Sequence, residues 1–279
     1  MAAGISVVII TLNEENNIAN AITSVKSWVS EIIVVDMMSD DRTVEIARAL
    51  GARVFDTPRL FAFDGARLVG LKHATGDWIL LLDADEVIPV KLATKLVSLV
   101  STGTSDAYWI PRLNYFSGEP MQHTQFGPIT DKQLRFYRAG AVRLTDVLHS
   151  HVQVEPGSRI ANLDYEREVC IVHFNHTSSR HFIEKLNRYT TLTATQRRGT
   201  QRYRDRSLVL VPFAVFFYQY VARSGFRDGW RGFYYSFMMG VYRMTQNVKI
   251  REIASHCDDE GSRNKYREIA RQILLEYAE

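Results

Sequence analysis

Cysteine is scarce: Cys170 and Cys257 are the only two in 279 residues. That excludes a disulfide framework and a cysteine-rich zinc site, and it fits a reducing compartment. With 16 glycines and 7 prolines there is no room for a long low-complexity linker. No apolar run reaches the roughly 20 residues that a membrane-crossing helix needs. The nearest candidate, Ser207–Ala222 (SLVLVPFAVFFYQYVA), contains Pro212, Tyr218 and Gln219. No repeat recurs at a fixed period, and no HExxH or Cys/His metal spacing is present. The opening MAAGISVVII lacks the basic region and cleavage site of a signal peptide, so a cytoplasmic location is expected.

What is present is globular. The hydrophobic fraction is 46% and the charged fraction 23%, which excludes disorder and a coiled-coil rod. The length allows one large domain or two small ones. Charge is unevenly spread: residues 1–150 carry 14 Lys/Arg against 17 Asp/Glu, whereas residues 151–279 carry 20 against 14. The basic half is also the more aromatic, which points to an anionic partner for the C-terminal part.

The first half alternates strand and helix signals. ISVVIIT (5–11), EIIVV (31–35), Arg53–Phe55 and WILLL (78–82) are short apolar runs of the kind that form buried parallel strands. Between them, residues 13–29, Asp41–Leu50 and Arg67–Ala74 carry helical spacing, and Val90–Val100 follows the fourth strand. This order predicts an α/β fold with a mostly parallel sheet. Beyond it, Ala107–Pro111, Gln133–Tyr137 and Ile171–Phe174 read as strands, and His181–Arg198, Ser207–Ala222 and Trp230–Gln246 as helices. Ligands of parallel sheets sit beyond the carboxyl ends of the strands. Those ends carry Thr11, Asn13 and Glu14, then Asp36, then Asp83 and Asp85. In a strand, residues two apart share a face, so Asp83 and Asp85 are expected to reach one Mg²⁺ or Mn²⁺ ion, the kind of cation that is shared with substrate phosphates. A solvated acidic turn is the competing explanation. The acidic positions at the other strand ends weigh against it.

The set ISVVIITLNEENNI, EIIVVDMMSDDRTVEIA and ATGDWILLLDADE resembles the family 2 glycosyltransferases of the GT-A, nucleotide-diphospho-sugar transferase fold. DKQLRFYRAG, VLHSHV and HFNHTSSRHFIEKLNRYT are similar to a bacterial subgroup that includes lipopolysaccharide core glucosyltransferases. The resemblance implies inverting, metal-dependent transfer of a sugar from a nucleotide diphosphate, UDP in first place, to a lipid-linked or lipopolysaccharide-type glycan. It implies a nucleotide pocket at Thr11, Asn13 and Glu14 and a base or ribose contact at Asp36. It also implies a base or phosphate contact at Arg67, a ribose contact at Asp83 and the metal at Asp85. Two segments depart from the pattern. Asp36-Met37-Met38-Ser39 replaces a D-D-G-S or D-S-G-S turn, and Ala66-Arg67-Leu68 replaces A-R-N.

Inverting transfer needs a carboxylate to take the acceptor's proton. Asp131, ahead of the R-F-Y-R run, is the first candidate, with Asp146 and Glu119 as alternatives. Some GT-A enzymes add a histidine to the metal shell. His149 is the first choice, beside His173, in a chain where five of eight histidines fall between 149 and 181. The expected division is a GT-A domain over 1–178 and a helical, basic and aromatic extension over 179–279. Arginines 197, 198, 202, 204 and 206 precede the apolar run and 223, 227 and 231 follow it. That arrangement predicts peripheral attachment to the cytoplasmic face of an anionic inner membrane, with a buried helical core or homo-oligomer contact as alternatives. Nothing resembles a nucleic-acid module. The rival functions are a non-catalytic nucleotide-sugar-binding subunit and a metal-dependent nucleotidyltransferase. The latter usually carries a Gly-rich basic loop after its first strand, and TLNEENN is neither.

Overall fold

A computed structural model describes residues 4–59, 63–143, 153–196 and 206–275. The chain forms two compact units, Met1–Thr177 and Ser178–Glu279. In the first, β1 (Ile5–Thr11), α1 (Ile18–Val25), β2 (Glu31–Asp36), α2 (Thr43–Ala49), β3 (Arg53–Asp56), α3 (Phe63–His73) and β4 (Trp78–Asp83) alternate. After β5 (Glu86–Val87) come α4 (Val90–Thr102), β6 (Ala107–Phe116), β7 (Glu119–Pro120), β8 (Lys132–Arg138), β9 (Val142–Arg143), β10 (Gln153–Val154), β11 (Ile160–Asn162) and β12 (Ile171–His176).

The central sheet runs β3-β2-β1-β4-β8-β6-β12-β5. Its first four strands are parallel, as the alternating pattern predicts. β8 then enters antiparallel to both β4 and β6, so the sheet as a whole is mixed. All seven residues of β1 are buried because helices cover both faces of the sheet. Val7, Ile9, Val34, Trp78, Leu80 and Leu82 share one core with Ile18 and Ile22 of α1 and Leu92 and Leu96 of α4. Val8, Ile10, Ile33, Val35, Ile79 and Leu81 face the opposite way, toward Ala66 of α3. This explains why the strands read as continuous apolar runs.

The pairing register fixes where the functional end lies. Thr11 is opposite Asp36, Asp36 is opposite Asp56, and Ile10 is opposite Asp83. Three strand ends therefore finish level. α1 begins at Ile18 instead of residue 13, because Asn13 takes a positive φ of 56° and a turn carries the chain to Asn17. Asparagine tolerates that conformation better than most residues.

The second unit contains α5 (Ser179–Gln196), α6 (Arg206–Phe217), a π-helical turn over Tyr218–Ala222, α7 (Gly229–Ala254) and α8 (Asp259–Leu275). The apolar run expected as one helix is thus α6 plus a π turn. α8 is a helix that no sequence signal singled out, and it buries none of its residues. Among the described residues, no single helix is long and apolar enough to cross a membrane.

α3 seats on the sheet at Gly70, where an added Cβ would fall 2.3 Å from Cγ1 of Val8 and 3.0 Å from Cγ2 of Val35. Both neighbours are β-branched and stiff. Gly70→Val is expected to lower stability by about 1–3 kcal/mol through overpacking, read from the urea midpoint. A second substitution, Val8→Ala, should recover part of the loss. Full additivity of the two changes would show that they do not meet.

Candidate active site

The β1 and β2 loops tie each other down. Asp36 is buried and accepts hydrogen bonds from the Ser39 N–H (2.8 Å) and the Ser39 hydroxyl (2.5 Å). Ser39 Oγ in turn accepts from the Asn13 N–H at 2.8 Å, and Asn13 Oδ1 accepts from the Asp40 N–H at 2.8 Å. The Glu14 N–H donates to Thr43 Oγ1, and Glu14 Oε2 accepts from Asn17 Nδ2. Within the departed turn, Met37 packs into the core while Met38 stands exposed at a φ of 60°. Thr11, Asn13, Glu14 and Asp36 therefore do meet at one end of the sheet. The buried Thr11 hydroxyl has no hydrogen-bond partner.

Beside them lies a lattice of buried ions. Asp83 ends β4, and its carboxylate accepts from Arg67 Nη2 of α3 at 2.9 Å and from Arg135 Nη2 of β8 at 2.6 Å. Its N–H donates to Glu86 Oε2 at 2.9 Å. Glu86 is fully buried and takes Arg112 Nη1 of β6 at 3.0 Å. Arg112 also holds Asp131, through Nε at 2.9 Å and Nη2 at 3.2 Å. Burial by itself would raise the Asp83 pKa. Arg135, then Arg67 and Arg112, outweigh it and hold the carboxyl well below the usual carboxylate range. Burial likewise opposes ionisation of Asp131, and Arg112, Asn114 and Gln133 reverse its effect. On Arg112 the charges of Asp131 and Glu86 overcome desolvation and raise the pKa.

Two sequence expectations are corrected here. The strand stops at Asp83, and Ala84 and Asp85 form a turn, so the expected two-residue periodicity lapses and the two carboxylates meet different partners. Asp83 turns to the arginines and Asp85 to His173. Arg67, expected at the nucleotide, pairs with Asp83. The second correction concerns Asp131. Its two oxygens accept four hydrogen bonds, two from Arg112, one from Asn114 Nδ2 (2.7 Å) and one from Gln133 Nε2 (2.6 Å). A carboxylate so occupied, with its pKa lowered, is a poor proton acceptor. Glu119 is exposed on β7. Asp146 and His149 lie outside the described residues.

Asp131 instead starts a chain of orientation. Asn114 donates through Nδ2 to Asp131 and to the Phe126 carbonyl (2.9 Å), which fixes its amide. Its Oδ1 therefore faces His173 Nδ1 at 2.6 Å and accepts a hydrogen bond from its N–H. The other ring nitrogen, Nε2, lies 3.3 Å from Asp85 Oδ2. β12 brings them together: His173 pairs with Glu86, and the Phe174 N–H donates to the Asp85 carbonyl at 2.9 Å. An imidazole lone pair and a carboxylate facing each other repel unless a proton or a cation lies between them. A histidine oriented by a hydrogen bond on its far nitrogen, opposite a carboxylate, is the usual arrangement of a metal-ligand pair.

Sequence reading missed Arg112, Asn114 and Glu86. The signal was available: Arg112 and Asn114 stand two apart in the otherwise apolar β6, hence on one face, where a polar pair needs a buried partner.

The sequence profile of Glycosyl transferase family 2 matches residues 6–158, more than half of the chain. The chain belongs to that family, and its architecture is the GT-A fold with added C-terminal helices. An uncharacterized glycosyltransferase of Rickettsia typhi is 29% identical over 90% of this chain and 87% of its own length. A low-salt glycan biosynthesis hexosyltransferase of Haloferax volcanii is 35% identical over 50% of this chain and 36% of its own. Among solved structures, glucosyl-3-phosphoglycerate synthase from Mycobacterium tuberculosis, in complex with Mn²⁺, UDP and glucosyl-3-phosphoglycerate, is 30% identical. The match covers 40% of this chain and 44% of that one, with a TM-score of 0.36.

Asp131→Asn leaves Arg112 short of its largest counter-charge, so it should cost about 3–5 kcal/mol at pH 7. The folded pKa of Asp131 is lowered, so its stabilisation is present above the unfolded value near ~3.9 and fades as pH falls through the folded one. Urea midpoints at pH 7 and on acidification below about pH 4 should show the gap between variant and wild type closing. A gap that acid leaves unchanged would refute the pairing.

Proposed function

We propose that this family 2 glycosyltransferase moves a sugar, with inversion, from a nucleotide diphosphate donor, UDP-linked in first place, to a hydroxyl of a lipid-linked or lipopolysaccharide-type glycan. The observation that carries the reading is the facing pair of Asp85 and His173 beside three level strand ends. Oxygen plus imidazole suits Mg²⁺ or Mn²⁺. Among the described residues, no group of three or more His, Cys, Asp or Glu side chains could hold a metal ion. The described part of the chain thus offers two ligands, and the remaining positions fall to water and to donor oxygens, with His149 a further ligand. When bound, the ion neutralises charge that grows on the departing diphosphate.

The chain's own residues do the rest. Asp131 and Asn114 hold the His173 ring, and the arginine lattice holds the turn that carries Asp85. Asp36, Thr11 and the Asn13–Ser39 ties shape the floor on which the nucleoside rests. With Asp131 engaged by Arg112, the proton of the acceptor hydroxyl goes to Asp146. The acceptor is carried at the cytoplasmic face of the inner membrane, which the composition of the second unit supports.

Binding of a ligand to the native state stabilises it by about 2.7 kcal/mol at a hundredfold excess over Kd, and so raises its melting temperature. Uridine diphosphate should produce that rise only with Mn²⁺ or Mg²⁺ present. Asp85→Ala and His173→Ala should each remove the metal dependence. A rise of equal size without metal, or one untouched by both changes, would sink the site assignment. Asp146→Asn should keep the donor-induced rise and lose about 10²–10⁴-fold in kcat; full turnover in that variant would remove Asp146 as the base.

A further inference from the structure

The second unit exposes an apolar surface that water does not explain. From Ser207 to Ala222 there is no charged residue, and SLVLVPFAVFF is apolar on every side of α6. A helix of that kind belongs inside a protein core or against lipid. Yet Val209, Leu210, Phe213 and Phe217 of α6 are exposed, Leu210 at 63% and Phe213 at 61%. α7 continues the surface with Trp230, Phe233 and Phe237, each at least half exposed. The two helices form a fixed plate. Gly240 of α7 sits so close to α6 that a Cβ there would lie 2.7 Å from the Pro212 carbonyl oxygen. Phe216 and Tyr220 meet Phe233 edge-on, at 5.7 and 5.6 Å between ring centroids.

Charge decides what covers this plate. Residues 207–251 hold six Lys/Arg and a single acid, Asp228. The cations fall outside the apolar stretches. Arg223 and Arg227 lie in the connection between the helices and Arg231 in the first turn of α7, and Arg243, Lys249 and Arg251 follow the second stretch. Arg223 stacks over Tyr218 at 5.2 Å and Arg231 over Trp230 at 4.7 Å. A second copy of the chain is a poor cover. A twofold contact uses the same patch on both sides, and whichever way the copies turn, cations meet cations. A membrane-crossing hairpin is equally poor: the bend of 74° between the helices would carry three arginines into hydrocarbon.

We propose that α6, the π turn and α7 lie flat in the interface of an anionic lipid bilayer. The apolar plate presses into the acyl boundary, and the arginines at its ends meet phosphate headgroups, with Trp230 and Tyr218 at headgroup level. The proposal is independent of the transfer reaction, because lipid binding is read without donor or acceptor.

The test uses the full chain and sedimentation with vesicles of phosphatidylcholine alone or mixed with phosphatidylglycerol. Binding should require phosphatidylglycerol and weaken as salt is raised. Brominated lipid should quench Trp230 fluorescence, by an amount that Trp230→Phe removes. Neutralising Arg223, Arg227 and Arg231 together to Gln should weaken binding about a hundredfold. Leu210→Ser with Phe213→Ser, both at exposed positions, should abolish the quenching while leaving the circular dichroism unchanged. Absence of binding to phosphatidylglycerol vesicles at low salt would overturn the proposal. Equal binding to both vesicle types would also overturn it, as would a stable dimer in solution that binds neither.

Discussion

Arg112 is the group on which the candidate site depends. It stands in the middle of an apolar strand and has to be paired, since an isolated buried guanidinium costs several kcal/mol. Its partners are Asp131 and Glu86, with Asp83 at 4.0 Å. Glu86 is buried completely and Arg135 nearly so, and each is tolerable only because the other ions are there. The network therefore joins α3, β4, β5, β6 and β8 at one end of the sheet and sets the geometry of the turn that carries Asp85.

The lattice also supplies direction. From Arg112 through Asp131, Asn114 and His173 to Asp85, each hydrogen bond fixes the orientation of the next side chain. At its end the His173 Nε2 and the Asp85 carboxylate stand 3.3 Å apart. Counted together, Asp83, Asp85, Glu86 and Asp131 set four carboxylates against the three guanidinium groups of Arg67, Arg112 and Arg135. The Asp85–His173 contact adds a fourth basic group to that set, itself largely buried.

The second unit follows a different rule. The first unit buries its apolar runs between helices and sheet, whereas α6 and α7 leave much of theirs uncovered and surround it with arginine. Aromatic rings meet between the two helices at Phe216, Tyr220 and Phe233, beside the close approach of Gly240 to Pro212. The proposed seat in a lipid interface rests on that difference.

Most strands and helices of residues 5–102 were legible because mainly apolar runs, as in β1, β2 and β4, alternate with amphipathic ones; the two-residue β5 carried no such signal. Position at a strand end was legible too, so Thr11, Asp36 and Asp83 could be placed at one edge before any register was known. The family resemblance rested on the same segments. What the local pattern could not carry was the partner of each charge. Whether Asp85 shares a face with Asp83 depends on where the strand stops, and only pairing of β5 with β12 decides that. Whether Asp131 is a base or a clamp depends on Arg112, 19 residues earlier on a neighbouring strand. Local sequence sets the type and ends of an element through side-chain periodicity. The charge state and orientation of a buried group are set by residues distant in sequence, and those distances close only when the sheet forms.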